Sequence, residues 1–535
     1  MRQKSEEQSF QKLQPYFVDV MSKWQKLAYT YLISVWLAGA VLFLLWWLNP
    51  NHVVDLPRFV INSILLLWTV VFPGYFFFFV GRMKQVNPAV RIPDHWRVAM
   101  VTTRAPSEPF SLVKQTLMAM LHQNYPHDTW LADEDPDEEI YEWCRAHGVK
   151  VCTRRGIPEY NNDDWPRRKK CKEGNLAYFY DHHGYDNYDF VVQLDADHIP
   201  QKGYIEAMIR PFVNDEVGYV SGPSICNSNA SKSWAARGRL HAEAIMHGPL
   251  QTGYSDGFAP LCIGSHYAVR TKALMEIGGL GPELAEDHST TLMMNSHGWR
   301  GIHAIDAIAS GEGPLTLTDC ITQEFQWSRS LVVLLCTELP KHWKNLSARL
   351  RLQFLFSQLW YPAFGTVMLI GFLLPIIAVI TYTPWVAVSY LDFISFSIPL
   401  TLSILAIIWF LKKNKWLRPV DSPIISWEMA LFQLVRWPWA LYGSIMGVVM
   451  VLRSKNVIFK VTPKDAKPEF SLKWKVLLPY MLVIGLSFLP SIYIRDAGSA
   501  SGYHFFLILN TIINLVVLFS IVLIHHRETQ KEVNA

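Results

Sequence analysis

The chain has 535 residues, 50% of them hydrophobic, and a formal net charge of only +4, which leaves no basic excess to argue for a nucleic-acid partner. Length alone allows about three domains. The 7 cysteines, odd in number and without a Cys-x-x-Cys pair, argue against a disulfide framework or zinc site and fit a reducing compartment.

Residues 1–26 are polar and charged and read as a cytosolic segment; the apolar run that follows is too long for a signal peptide. Two apolar stretches, 27–48 and 59–80, each approach the ~20 residues a helix needs to cross the hydrocarbon core. The short loop around Pro50, Asp55 and Arg58 makes them a hairpin spanning 27–82. Lys23, Lys26, Arg82 and Lys84 then share a side with the central segment, and the positive-inside rule makes that side the cytosol. Residues 92–320 read as a soluble α/β domain, with a strand at 95–103, a helix at 112–120 and a strand Phe190–Leu194 that stops at carboxylates. This alternation predicts a largely parallel sheet with chemistry at the strand C-termini.

Beyond the domain, 321–350 is expected to hold interfacial helices, one of them over 331–343. Two spans follow within 351–411 (356–380 and 385–411), then the basic cluster Lys412, Lys413, Lys415 and Arg418. The stretch 427–452 is apolar but carries Glu428, Arg436 and Pro438. As a span it would put His525, His526 and Arg527 outside, so it reads as an interfacial helix within a cytosolic segment 412–470. The last two spans, 476–494 and 503–524 within 475–526, bring the expected number to about six, with both termini in the cytosol.

Four constellations carry chemistry. Asp195-Ala196-Asp197-His198 leaves an apolar strand directly, so paired carboxylates reach a cleft edge where they can hold a hard divalent cation, Mg²⁺ or Mn²⁺. A solvated acidic turn is the plain alternative. Glu286-Asp287 follows the glycine turn Gly278, Gly279 and Gly281; Asp287 is the candidate base for an attacking hydroxyl, unless the pair merely starts a helix. Gln323, Gln326 and Trp327 share one helical face, fit for a diphosphate and a sugar ring, or simply for the membrane surface. Upstream lie Asp133-Glu134-Asp135, the basic run 167–170, and Lys172-Glu173-Gly174-Asn175. The acidic trio can hydrogen-bond a nucleobase and the basic run can neutralise phosphates, although such runs are more often solvated faces.

In this order the motifs resemble the processive family 2 glycosyltransferases, in particular bacterial cellulose synthase catalytic subunits, over about residues 70–525. The anchors are Asp133, Lys172 to Asn175, Asp195 to Pro200, Gly264-Ser265, Glu286-Asp287, the Gln323 to Trp327 helix, and Phe459-Lys-Val461-Thr462-Pro-Lys464. The last is similar to the Phe-x-Val-Thr gating loop of cellulose synthases, which hyaluronan and chitin synthases usually lack. The resemblance implies a GT-A-type, Rossmann-like cytosolic α/β domain inserted in a helical transmembrane bundle of the inner (plasma) membrane. It implies that Asp133 contacts uracil, Lys172 and its neighbours the diphosphate, and Asp195 with Asp197 the metal. Asp287 would be the base, Trp327 would stack on the chain's terminal sugar, and Thr462 and Lys464 would close over UDP.

The implied partners are a UDP-sugar donor, most simply UDP-glucose, the growing polysaccharide, the bilayer, and export or accessory subunits. Two departures stand out. Ala285 replaces the Thr of Thr-Glu-Asp, and Gln326 replaces the Arg of Gln-x-x-Arg-Trp, whose charge and bidentate geometry an amide lacks. Arg329, one helical turn on, is an alternative cation. With only two spans expected after Lys464, no cyclic-di-GMP-sensing PilZ domain is expected, and activation would come another way. Two competing functions remain: a non-processive transferase acting on a lipid acceptor, and an inactive channel or assembly partner.

Overall fold

The computed structural model describes residues 15–453 and 474–533. Two long helices come first, α1 (Lys23–Trp47) and α2 (Leu56–Val80). Ser22 and Gln25 form a capping box that starts α1, and the Asp55 side chain caps α2 through the Arg58 amide. The hairpin closes on Tyr29, whose hydroxyl donates to the Phe77 carbonyl at 2.9 Å, and on Trp47, whose indole donates to Ser63 Oγ at 2.9 Å.

The central domain is built on seven strands: β1 (Val98–Arg104), β2 (Asp128–Asp133), β3 (Lys150–Cys152), β4 (Phe190–Leu194), β5 (Val217–Ser221), β6 (His266–Arg270) and β7 (Arg300–His303). Their order across the sheet is β7-β5-β6-β4-β1-β2-β3. Alternate residues of β1 feed two buried layers, Val98 and Met100 on one face and Ala99 and Val101 on the other. A strand covered on both faces reads as the continuous apolar run seen in the sequence.

The sheet is largely parallel, as the alternation predicts, with one strand reversed. β6 runs antiparallel to both β4 and β5, while β4, β1, β2 and β3 are parallel. This reversal matters for the site. It pairs His266, the first residue of β6, with Leu194, the last of β4, so the loop before β6 sits beside the carboxylates after β4.

The helices that carry or support the site are α3 (Phe110–Leu121), α4 (Lys172–Phe179), α5 (Trp234–Ala242), α6 (Glu286–Ser296) and α7 (Leu317–His342). α7 corrects the expectation of a separate interfacial helix over 331–343. Thr316 and Asp319 form a capping box, and one helix of 26 residues runs from there past Trp327 to His342.

Five more long helices follow: α8 (Ala348–Ile380), α9 (Tyr390–Lys413), α10 (Trp427–Arg453), α11 (Trp474–Tyr493) and α12 (Tyr503–Val533). With α1 and α2, they make 7 helices among the described residues that are long and apolar enough to cross a membrane. The chain is a multi-pass membrane protein. α10 qualifies by length and composition, yet its charges face protein: Glu428 pairs with Arg237 of α5 at 3.0 Å and Arg436 with Glu324 of α7 at 3.6 Å. The soluble layer packs directly on the helices, with Gly253 against the Phe79 carbonyl of α2 and Lys84 bonded to Asp256 at 2.7 Å.

Candidate active site

The Asp195 to His198 turn leaves β4 and is held from both sides. The Asp195 amide donates to the Ser265 carbonyl at 2.8 Å, which is where the antiparallel β6 delivers its entry loop. From α3, Thr116 Oγ1 donates to the Ala196 carbonyl at 2.7 Å. Asp197 is buried, takes the Glu312 amide at 2.9 Å on Oδ2, and faces His198 Nδ1 at 3.2 Å through Oδ1. Ligand atoms of Asp195, Asp197 and His198 lie within 4.8 Å of one another. Two carboxylates and an imidazole at that separation suit a hard divalent ion such as Mg²⁺ or Mn²⁺.

Lys172, the first residue of α4, reaches into this turn. Its Nζ donates to Asp195 Oδ1 at 2.7 Å and to the Gly264 carbonyl. Although burial works against its charge, Asp195 holds its pKa above the ordinary lysine value. Gly264 in turn donates its amide to Asp287 Oδ2 at 2.6 Å, and His288 donates to Oδ1 at 2.7 Å. Asp287, Gly264, Lys172 and Asp195 therefore form one connected chain across the cleft.

Asp287 opens α6, as the plain helix-start reading expected, and still faces the cleft. Burial pushes its carboxyl up to about 6, against the two amides that favour the ionised form. A carboxylate poised near neutrality, with one amide on each oxygen, is suited to take a proton from a hydroxyl. Glu286 is buried with neither carboxylate oxygen hydrogen-bonded, and burial followed by the Asp287 charge raises its pKa well above the carboxylate range. Burial thus favours its neutral form, and Asp287 is the better-placed base of the pair.

The upstream residues are placed differently. Asp133, at the end of β2, is fully buried and clasped by Arg104 Nη1 at 3.1 Å to each oxygen. Asn175 is buried with its side-chain amide on the Ala132 carbonyl at 2.9 Å. The basic run is largely consumed locally: Arg167 pairs with Asp181, Arg168 with Glu173 and Lys169 with Asp163. Those three charges brace the loop before α4 and are not a phosphate patch, because each faces its own carboxylate.

On α7, Gln323 and Trp327 share a face as the spacing predicts, and Gln326 is buried. Arg329 lies one turn on from Gln326 and packs over the Phe325 ring at 5.4 Å. A cation beside Trp327 comes from α5. Arg239 lies over the Trp327 ring at 4.2 Å and donates to Gln323 Oε1 at 2.7 Å. Sequence reasoning missed Arg239, and also Ser330, whose hydroxyl accepts the Ala285 amide at 3.0 Å and ties α7 to the start of α6. Phe459, Val461, Thr462 and Lys464 lie outside the described residues.

Residues 190–516 match the family model described as Glycosyl transferase family group 2. The chain is similar to cellulose synthase 1 catalytic subunit [UDP-forming] of Komagataeibacter xylinus, 25% identical over 328 residues, 58% of this chain and 42% of that protein. The cellulose synthase catalytic subunit [UDP-forming] of Pseudomonas fluorescens is 23% identical over 267 residues, covering 48% and 34%. A putative cellulose synthase 2 of Komagataeibacter xylinus is 24% identical over 478 residues, covering 84% of this chain and 29% of that one. The chain thus spans less than half the length of these curated relatives. Among solved structures, the mannosyltransferase PcManGT of Pyrobaculum calidifontis, in complex with GDP-Man and Mn²⁺, covers 84% of this chain and 98% of its own at 12% identity. Its TM-score of 0.37 is too low to carry an argument.

Proposed function

The chain belongs to glycosyl transferase family group 2, and from that premise we propose that it is a processive, inverting transferase that polymerises a UDP-sugar, most simply UDP-glucose, into a β-linked glucan such as cellulose and passes it through its own helices. The observation that carries the chemistry is the Asp287–Gly264–Lys172–Asp195 chain, which sets a base and a cation-binding carboxylate on opposite sides of one cleft. In the reaction, Asp287 takes the proton of the acceptor hydroxyl as that oxygen attacks the anomeric carbon. The bond from that carbon to the diphosphate breaks, and UDP leaves with the electron pair.

Asp195, Asp197 and His198 would hold the Mg²⁺ or Mn²⁺, which when bound offsets charge on the leaving diphosphate. Lys172 adds a second positive charge at the same edge. Asp133, clasped by Arg104, fixes the floor of the nucleotide pocket and meets a uracil only along with that arginine.

Processivity is supported by what lies beyond Trp327. Glu324 and Arg436, buried between α7 and α10, face each other at 3.6 Å, while Glu324 Oε1 and Arg436 Nε make no hydrogen bond within the protein. The Arg436 guanidinium also lies 4.8 Å from the Phe364 ring and 5.9 Å from that of Tyr361. Unspent hydrogen-bonding groups beside aromatic rings suit a carbohydrate, whose rings stack and whose hydroxyls need partners. We place the catalytic domain in the cytosol and α10 at the inner-membrane surface, since its charges are committed to α5 and α7. Phe459, Val461, Thr462 and Lys464 would close over the donor.

Membranes carrying the protein, incubated with radiolabelled UDP-glucose and Mg²⁺ or Mn²⁺, test the reading when the product is sorted by size and solubility. High polymer supports it. Label confined to lipid would instead establish a single-transfer enzyme, and no turnover with any UDP-sugar would leave only an assembly role.

A further inference from the structure

The most tightly built feature outside the reacting groups is the polar cluster around Arg239. Its side chain is largely buried, and its Nε, Nη1 and guanidinium face each have a partner. Nε faces both Glu243 oxygens at 3.3 Å, Nη1 donates to Gln323 at 2.7 Å, and the plane lies over Trp327 at 4.2 Å. Glu243 is itself bonded to His247 at 3.4 Å, so the anchor beneath Arg239 is fixed as well. Burial would raise the Glu243 carboxyl, yet Arg239 and then His247 bring it down to about 2, so the anchor stays charged at working pH.

Position makes the cluster more than a packing detail. Arg239 lines one narrow cleft with Ser224 and Cys226, and Ser224 Oγ accepts from Ser265, the residue whose carbonyl holds the Asp195 amide. One guanidinium thus holds the face of α7 that carries Gln323 and Trp327 from a cleft whose other wall leads to the metal-binding turn. Hydrogen bonds and stacking from a planar cation define an orientation as well as a distance, which a lysine at the same place would do only in part and an amide not at all. One face of the Trp327 ring is covered by Arg239, so a sugar can stack only on the other.

We propose that Arg239 is a positioning residue for the acceptor: it fixes the Trp327 ring and the Gln323 amide so that an acceptor sugar on the free face of Trp327 presents its hydroxyl to the reacting carbon. It acts through α7 and touches neither the donor nor the cation. The proposal rests on the transferase reading above, but not on processivity.

The test uses full-length protein in lipid nanodiscs with UDP-glucose and Mn²⁺, comparing wild type with Arg239→Gln, Arg239→Lys, Trp327→Phe and the double variant Arg239→Gln/Trp327→Phe. Two rates are read, UDP release to water and sugar transfer to acceptor. Losing a desolvated cation–π contact predicts that Arg239→Gln cuts transfer about tenfold, with donor KM and release to water within about twofold of wild type. Arg239→Lys restores part of the transfer, and the double variant is no worse than Arg239→Gln.

Equal loss of both rates, a lysine no better than glutamine, or additive losses in the double variant would overturn it, since each marks a merely structural arginine. If Arg239→Gln does not fold, Arg239→Lys is held to the same split between the two rates. Should wild type label only lipid, the split is read on the lipid product. Failure of the polymer reading and failure of this one are then separate results.

Discussion

Asp287→Asn isolates the proposed proton transfer from everything that holds the site together. Asparagine keeps the shape and can accept one of the Gly264 and His288 amides on its one carbonyl oxygen while its NH₂ faces the other, but it cannot take a proton. Loss of a positioned base costs about 10² to 10⁴ in rate. The same residue predicts a pH profile. With its carboxyl at about 6, some nine-tenths of Asp287 is ionised at pH 7 and about one-tenth at pH 5, so the wild-type rate falls roughly tenfold across that interval.

The effect on stability has the opposite sign. A carboxyl raised from its ordinary 3.8 to about 6 contributes stability that is fully present below the lower value and lost as pH rises through the higher. Asp287→Asn escapes that desolvation cost above pH 6 but loses one of the two amide hydrogen bonds, so its folding stays close to wild type there. Initial rates of sugar incorporation from pH 5 to 8 at saturating donor, with UDP binding measured alongside, decide the matter. A variant that polymerises normally, or a wild-type profile flat through pH 6, would refute the base assignment.

Three further outcomes follow from the geometry. Chelation of divalent ions abolishes incorporation and Mg²⁺ or Mn²⁺ restores it; full activity in chelator would remove Asp195 and Asp197 from a metal role. Gly311→Ala places a Cβ into the His198 ring, an overpacking that costs about 1–3 kcal/mol and raises the half-saturating Mn²⁺ concentration; unchanged Mn²⁺ dependence would take His198 out of the cation site. Gly443→Ala drives α10 into Ser328 Oγ and the Phe325 carbonyl of α7, and should lower the melting temperature in detergent by several degrees. An unshifted transition would mean that this contact does not hold the two helices together.

What the sequence made legible was local. The apolar strand ending at Asp195, the acidic pair that opens α6, and the long apolar helices are all written in consecutive residues. Contacts across long separations were not. Arg239 reaches Gln323 over 84 positions and Ser330 reaches Ala285 over 45, and neither has a signature in its neighbours. The reversal of β6 was equally silent, because a strand buried on both faces looks the same in either direction. The run 167–170 left two readings open for the converse reason: its positive charge is visible in sequence, while Asp163, Glu173 and Asp181, which pair with it, are set by the fold. Charge commitment also explains α10. Its length and apolarity suit a span, and only the partners of Glu428 and Arg436 show which way its polar face turns.

The central claim joins synthesis to export, and one measurement addresses both. Purified protein is reconstituted in sealed vesicles, the outward-facing catalytic domains are supplied with radiolabelled UDP-glucose and Mn²⁺, and the product is challenged with an added β-glucanase. Coupled polymerisation and translocation predict labelled high polymer that resists the enzyme until detergent opens the vesicles. Polymer digested at once in sealed vesicles, or label found only in lipid, would contradict it.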